Sequence, residues 1–158
     1  QSSGVPHVIL RNGWYTENYL ASIQPALQHG AFIGSAGAGR IASAARADYA
    51  QAAAVALTSP DQAGKVYELA GDVAYTLAEF AAELSRQSGK TIPYVDLPQA
   101  EFKGALVGAG LPEPLADLLA DSDVGASKGG LFDDLHQLSA LIGRPTTSLQ
   151  ALMAAALA

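Results

Sequence analysis

The chain has 158 residues, of which 49% are hydrophobic and 15% charged, with a net charge of −6 and no cysteine. That length and composition suit one compact globular unit and exclude the disordered and fibrous classes. The negative balance opposes a phosphate backbone, and the lack of cysteine excludes disulfides, thiolate nucleophiles and Cys-based zinc sites, so neither nucleic acid nor a metal is an expected partner.

No apolar run reaches the roughly 18 residues of a membrane span, and the opening QSSGVPH has neither the basic nor the apolar region of a signal peptide. A cytoplasmic protein is therefore expected. Gln1 is no initiator and a strand-like run follows it closely, so the chain reads as cut from something longer.

That run, VPHVILRN over 5–12, is almost uninterrupted by polar residues, as in a strand of a parallel sheet covered on both faces. TENYLASIQPALQHG over 16–30 follows as a helix with Tyr19, Ile23, Ala26 and Leu27 on one face. Thr16 is its expected cap, Gly30 its stop, and Pro25 a kink or division. AFIGSAGAGRIAS reads as two short strands around a glycine turn, and RADYAQAAAVALTSP as a helix capped near Asp48 and ended at Pro60. KVYELAG is a further strand. Thr76 and Glu79 have capping-box spacing at the start of TLAEFAAELSRQSG, with Gly89 closing it, and TIPYVDL is a strand. Four short helices sharing one Ala/Leu core are expected beyond Pro98. The pattern is α/β over 1–97 and a mainly helical cap over 98–158.

Chemistry is sought first in GSAGAGR, because glycine turns after strands cradle phosphates. The spacing is G-x-x-G-x-G rather than G-x-G-x-x-G, and strand-like RIAS follows instead of a helix, so a hairpin turn is the preferred reading. RNGWYTENY over 11–19 is richer. It stands at the C-terminal end of the first strand, where ligands bind in open α/β sheets. Asn12 and Asn18 can donate and accept at once toward a carboxamide or carbonyl, and Gly13 lets a flat ring approach the backbone. Trp14, Tyr15 and Tyr19 could form an aromatic wall. Equally, Trp14 and Tyr19 can be core aromatics and the asparagines turn caps.

His7, His29 and His136 show no metal-binding spacing, Asp133 and Asp134 read as caps of the helix DDLHQLSALIG, and Asp117, Asp121 and Asp123 read as a solvated face. SKGGLFDD is a glycine-hinged loop that either folds Phe132 over a ligand or simply connects two helices.

Several blocks together resemble the NmrA-like, atypical branch of the short-chain dehydrogenase superfamily, and within it the bacterial NAD(P)H:quinone oxidoreductases of type 2. They are SGVPHVILRNGWYTENYL, FIGSAGAGRIASAARADYAQAAA, GKVYELAGDVAYTLAEFAAELSRQSGK, GLPEPLADLLADSDVGASKGGLFDD and LIGRPTTSL. The resemblance implies the C-terminal part of a Rossmann-type doubly wound sheet with a substrate-binding subdomain, the dinucleotide-binding half being absent. It implies NADP(H) as cofactor and a quinone or similar flat acceptor as substrate. Asn12, Gly13, Trp14, Tyr15 and Asn18 would then stand beside nicotinamide and quinone, with Tyr19 and Phe132 toward the substrate. It also admits an NADP-binding redox sensor without turnover. The first strand would be left with unpaired backbone groups, which a separate N-terminal half or another copy of the chain would cover. The fragment alone is expected to be inactive and to bind NADPH poorly, since it lacks a phosphate loop.

Overall fold

A computed structural model describes residues 4–158; Gln1, on which the reading of a longer parent chain rests, lies outside them. Strands and helices alternate as β1 (Ile9–Asn12), α1 (Thr16–Leu20), α2 (Ile23–His29), β2 (Phe32–Gly34), α3 (Arg46–Thr58), β3 (Val66–Leu69), α4 (Leu77–Ser88) and β4 (Tyr94–Asp96). Only helices follow, namely α5 (Gln99–Gly108), α6 (Glu113–Ser127), α7 (Gln137–Ile142) and α8 (Leu149–Leu157).

Both strand pairs are parallel, β1 with β3 in the register Ile9↔Val66 to Asn12↔Leu69, and β2 with β4 from Phe32↔Tyr94 to Gly34↔Asp96. Parallel pairing with intervening helices is the α/β pattern expected from the sequence. β1 is shorter than the apolar run that announces it, and it is not covered on both faces. Ile9 and Leu10 are half-buried and Arg11 and Asn12 exposed, because among the described residues β3 is its sole strand neighbour.

The first helix is divided at Ala21 and Ser22. Pro25 falls in the first turn of α2, where a missing N–H removes no helical bond, and Gly30 ends that helix with φ 78°. Thr16 does not cap; it lies inside α1, buried, and its hydroxyl bonds that of Ser43 at 2.7 Å. Nor does Asp48 cap α3. The free N–H of Arg46 is met by the Glu17 carboxylate at 2.9 Å, while Asp48 is completely buried. The capping box of Thr76 and Glu79 is formed as the spacing predicts, and Gly89 closes α4.

The expected hairpin is absent. β2 pairs with β4, and residues 41–45, the would-be second arm, cross the middle of the molecule with every residue buried. Their backbone groups find partners on four sides. Ile41 exchanges bonds with Tyr75, the Ala42 N–H donates to the Leu131 carbonyl, the Gly71 N–H donates to Ala42, and Ala44 pairs with Trp14 and Thr16. A buried segment needs all of these bonds, and its small side chains let the neighbours come close enough to make them.

Two cores flank this segment. One holds Tyr19, Ile23, Phe32, Ile41, Leu77, Phe80, Leu84 and Met153; the other holds Ala44, Tyr49, Ala52, Leu69, Leu138 and Ile142. The four C-terminal helices therefore do not share one core. α5 and α6 pair with each other, α7 lies on α3 and β3, and α8 lies on α4 and α1. Periodicity reveals which face of a helix is apolar but not which partner covers it.

Candidate functional site

β1 and β3 run in the same direction, so both end on the same side, and their ends open into a cavity of about 530 Å³. Arg11, Asn12, Gly13 and Trp14 form one wall, Leu69 and Ala70 a second, and the loop carrying Leu131, Phe132 and Asp133 a third. At the rim, Arg11 and Glu68, opposite each other in the strand register, form an exposed ion pair at 2.6 Å. Phe132 is 45% exposed, and the Arg40 guanidinium lies 5.8 Å from its ring centroid. The structure thus brings Asn12, Gly13, Trp14 and Phe132 to one place.

Gly13 is held tightly. Its N–H donates to the Leu69 carbonyl at 2.8 Å, and a Cβ there would lie 3.1 Å from that oxygen and 3.3 Å from the Tyr49 hydroxyl. Tyr49 in turn donates weakly to the Trp14 carbonyl at 3.4 Å. Burial pushes the Tyr49 phenol up and keeps it a neutral donor. The Trp14 indole N–H is buried and has no hydrogen-bond partner among the described residues.

The other sequence-derived candidates stand outside the cavity wall. Tyr15 packs edge-on against Tyr49 at 5.3 Å, with the Arg46 guanidinium 5.2 Å from its ring centroid. Its hydroxyl accepts a long bond from the Asn12 amide at 3.5 Å. The Asn18 side chain accepts from Arg46 at 3.0 Å. Tyr19 is buried in the larger core, its ring centroid 6.2 Å from that of Trp14 and its hydroxyl donating to Asp123 at 3.1 Å.

The glycine turn after β2 binds the protein's own side chains. The N–H groups of Ser35, Ala36 and Gly37 donate to Asp123 (2.8 Å), the Tyr94 hydroxyl (3.1 Å) and Asp96 (2.8 Å). Consecutive N–H groups of this kind form an anion-binding nest, and here carboxylates of the same chain occupy it. Gly39 is required by packing, since a Cβ would stand 2.3 Å from the Ala126 carbonyl. Asp123 is therefore not on a solvated face, as its helical spacing suggested, but 3% exposed. Burial pushes its carboxyl above the ordinary value, and the bonds from Ser35 and Tyr19 partly offset that.

Asp133 and Asp134 do not cap a helix either. Asp133 accepts from the Leu135 N–H at 3.0 Å, and α7 starts after His136, whose φ of 54° is left-handed. The start of α7 is secured instead by Asp72. This carboxylate accepts from Ser139 at 2.6 Å and from the Thr146 N–H at 2.8 Å, and it lies 3.1 Å from His136 Nδ1. Burial works against its charged form, but the bonds from Ser139, Thr146 and His136 outweigh it and hold the carboxyl below its ordinary 3.8. An Asp carboxyl depressed on folding stabilises above its unfolded value and loses that contribution as pH falls through the folded one. Asp72→Asn should cost about 1–2 kcal/mol at neutral pH. Urea titrations should show the difference between the two proteins steady from about pH 5 to 8 and shrinking below about 4; a difference that grows on acidification would contradict the assignment.

No protein-family model matches the chain. It is 63% identical over 147 residues to quinone oxidoreductase 2 of Escherichia coli K12, covering 93% of this chain and 51% of that protein. The crystal structure of the NADPH-dependent quinone oxidoreductase of E. coli complexed with NADPH superposes with a TM-score of 0.96 at 59% identity, over 99% of this chain and 56% of that one. Over this span the chain is a close homologue of quinone oxidoreductase 2. Triphenylmethane reductase of Citrobacter sp., solved with NADP(H), matches with a TM-score of 0.92 at 32% identity, over 98% of this chain and 54% of that one. The chain thus matches, as expected, part of the Rossmann-like fold of reductases solved with NADP(H), and spans about half the length of the curated relatives it matches.

Among the described residues no group of His, Asp and Glu could hold a metal ion, and no helix is long and apolar enough to cross a membrane. Sequence reading overlooked Leu69, Ala70 and Glu68 as cavity residues. The signal was available, because a second strand parallel to the first must end on the same side.

Proposed function

We propose that the chain is the C-terminal, substrate-side portion of a cytoplasmic NADPH-dependent quinone oxidoreductase, with the cavity at Asn12–Trp14 taking the nicotinamide and a flat acceptor. What carries the reading is the meeting of two parallel strand ends with an aromatic-flanked cavity, in a chain 63% identical to a quinone oxidoreductase.

The residues present fit the ring end of such a cofactor. The unpartnered indole N–H of Trp14 calls for an acceptor, as a carboxamide or quinone oxygen would be. Asn12 offers an amide at the same wall. The phosphate end has no counterpart in the glycine turn, whose N–H groups already hold Asp123, Tyr94 and Asp96. In this reading the phosphates are gripped by a preceding half of the parent protein, which also covers the edge of β1 that has no strand neighbour among the described residues. Another copy of the chain is the alternative cover.

Bound NADPH would supply the hydride. The task of this chain is to position and to exclude water. Asn12 orients the ring by its amide, Trp14 and Phe132 cover the reacting faces, and Tyr15 and Asn18 hold the Asn12–Trp14 turn through Arg46 and Tyr49. No side chain here is required as an acid, because a reduced quinone can take its proton from solvent.

The test is NADPH oxidation by the full-length parent protein with a benzoquinone. Turnover is expected, and Asn12→Ala should lower kcat/KM by about tenfold, the equivalent of one lost hydrogen bond. Tight NADP binding without turnover of any quinone would refute the enzyme reading and leave a sensor.

A further inference from the structure

The backbone around Phe132 is fixed on both sides, but its ring is not. Leu131, just before it, packs against the larger core, and the Leu131 carbonyl accepts the Ala42 N–H at 2.9 Å. Just after it, the Leu135 N–H donates to Asp133 at 3.0 Å, and His136 lies 3.1 Å from Asp72. Between these ties the Phe132 ring belongs to neither core and is 45% exposed, yet it lines the cavity at the ends of β1 and β3. An exposed ring has three staggered χ1 wells open to it. Spread over them, it would cover the cavity only part of the time.

One group faces this ring. The Arg40 guanidinium lies 5.8 Å from the ring centroid, inside the roughly 6 Å reach of a cation–π contact. Among the described residues no aromatic ring pairs with Phe132.

Arg40 stands on rigid ground. Gly39, before it, is wedged against the Ala126 carbonyl, and Ile41, after it, is fully buried and exchanges both backbone bonds with Tyr75. At its far end the guanidinium donates to the Ala74 carbonyl at 2.9 Å. The side chain is thus set at both ends. Among the described residues no carboxylate pairs with it, so its charge is left for the ring. Arg40 does not itself line the cavity, and its influence on a ligand there passes through Phe132.

We propose that Arg40 is a positioning residue, which holds the Phe132 ring where it covers a flat acceptor and so sets how well that acceptor is captured. This inference rests on the quinone reductase reading above. Two independent considerations give its scale. An exposed cation–π contact changes an equilibrium by about two- to fivefold, and confining a ring from three equal wells to one changes it by about threefold.

Steady-state NADPH oxidation by the full-length parent protein with 1,4-benzoquinone provides the test. Arg40→Met keeps the aliphatic stem and removes the charge. It should lower kcat/KM for the quinone by about threefold and leave kcat/KM for NADPH unchanged, with the melting point within about 2 °C of the parent. A merely structural role would move all three together and overturn the proposal. Arg40→Lys, which keeps a cation, should recover most of the loss; a lysine no better than methionine would rule out the charge. In a Phe132→Leu protein, which has no ring face, Arg40→Met should have no further effect. An equal loss in that background would mean that Arg40 acts elsewhere, and would refute the proposal. Arg40→Gln, polar but uncharged, should behave as Arg40→Met and takes its place if the latter does not fold. Turnover by the unaltered parent with kcat/KM unchanged in the uncharged variants would sink this inference alone. No turnover of the quinone by the unaltered parent would sink the reductase reading and this inference with it.

Discussion

Phe80→Ala should destabilise the chain by about 3–5 kcal/mol, enough to remove a large part of the roughly 5–15 kcal/mol that holds a typical domain together. Phe80 is fully buried, and its ring centroid lies 4.8 Å from that of Phe32 and 6.1 Å from those of Tyr19 and Tyr75. Deleting it leaves a hole among three rigid rings, which cannot collapse as flexible aliphatic chains can. The ring contacts continue from Tyr19 to Trp14, so the same substitution should loosen a wall of the cavity. The protein has a single tryptophan, which makes its fluorescence a local reporter. Thermal unfolding should move down by roughly 10 °C, and the Trp14 emission of the still folded variant should shift to the red. Phe80→Leu should lose less than half as much. A melting point within about 2 °C of the parent would show that the aromatic cluster is not the centre of this core.

Asp48→Ala should cost about 2–4 kcal/mol, since it strips the partners from three donors at once. The buried carboxylate accepts from Arg144 at 2.7 Å, from the Thr147 N–H at 2.7 Å and from the Thr147 hydroxyl at 3.1 Å. Arg144 keeps 42% of its side-chain exposure, so it can turn to water. The Thr147 N–H is less free to do so. Most of the loss therefore comes from the orphaned backbone group rather than from the ion pair. Asp48→Asn, which retains an acceptor oxygen, should recover about half of the loss. Denaturant melts of the three proteins would decide between these contributions. Equal losses for Ala and Asn would mean that charge, not the backbone bond, is what Asp48 supplies.

How far the sequence could be read depends on the range of the interactions involved. The capping box at Thr76 and Glu79, the stops at Gly30 and Gly89, and the alternation of strands with helices are dictated within a few residues, and each stands where the pattern put it. The cavity at Asn12, Gly13 and Trp14 was legible for a similar reason: the end of an apolar strand followed by polar and aromatic residues is a local signature. Phe132 was harder to find, some 120 residues away in sequence, and only its glycine-hinged loop and the family resemblance pointed to it.

The misread residues all have partners remote in sequence. Asp48 reads as a helix cap and Asp123 as part of a solvated face until Arg144, Thr147, Tyr19 and Ser35 close on them. The arm expected to fold back as a hairpin is instead claimed by Trp14, Gly71, Tyr75 and Leu131. Local patterning by itself determined the α/β class, the helix ends and the polar-aromatic end of β1. The tertiary structure alone decided which carboxylates are buried and which strands pair. It also decided that the hydroxyls of Thr16, Ser43 and Tyr75 meet, because a buried polar group is stable only where a distant partner satisfies it.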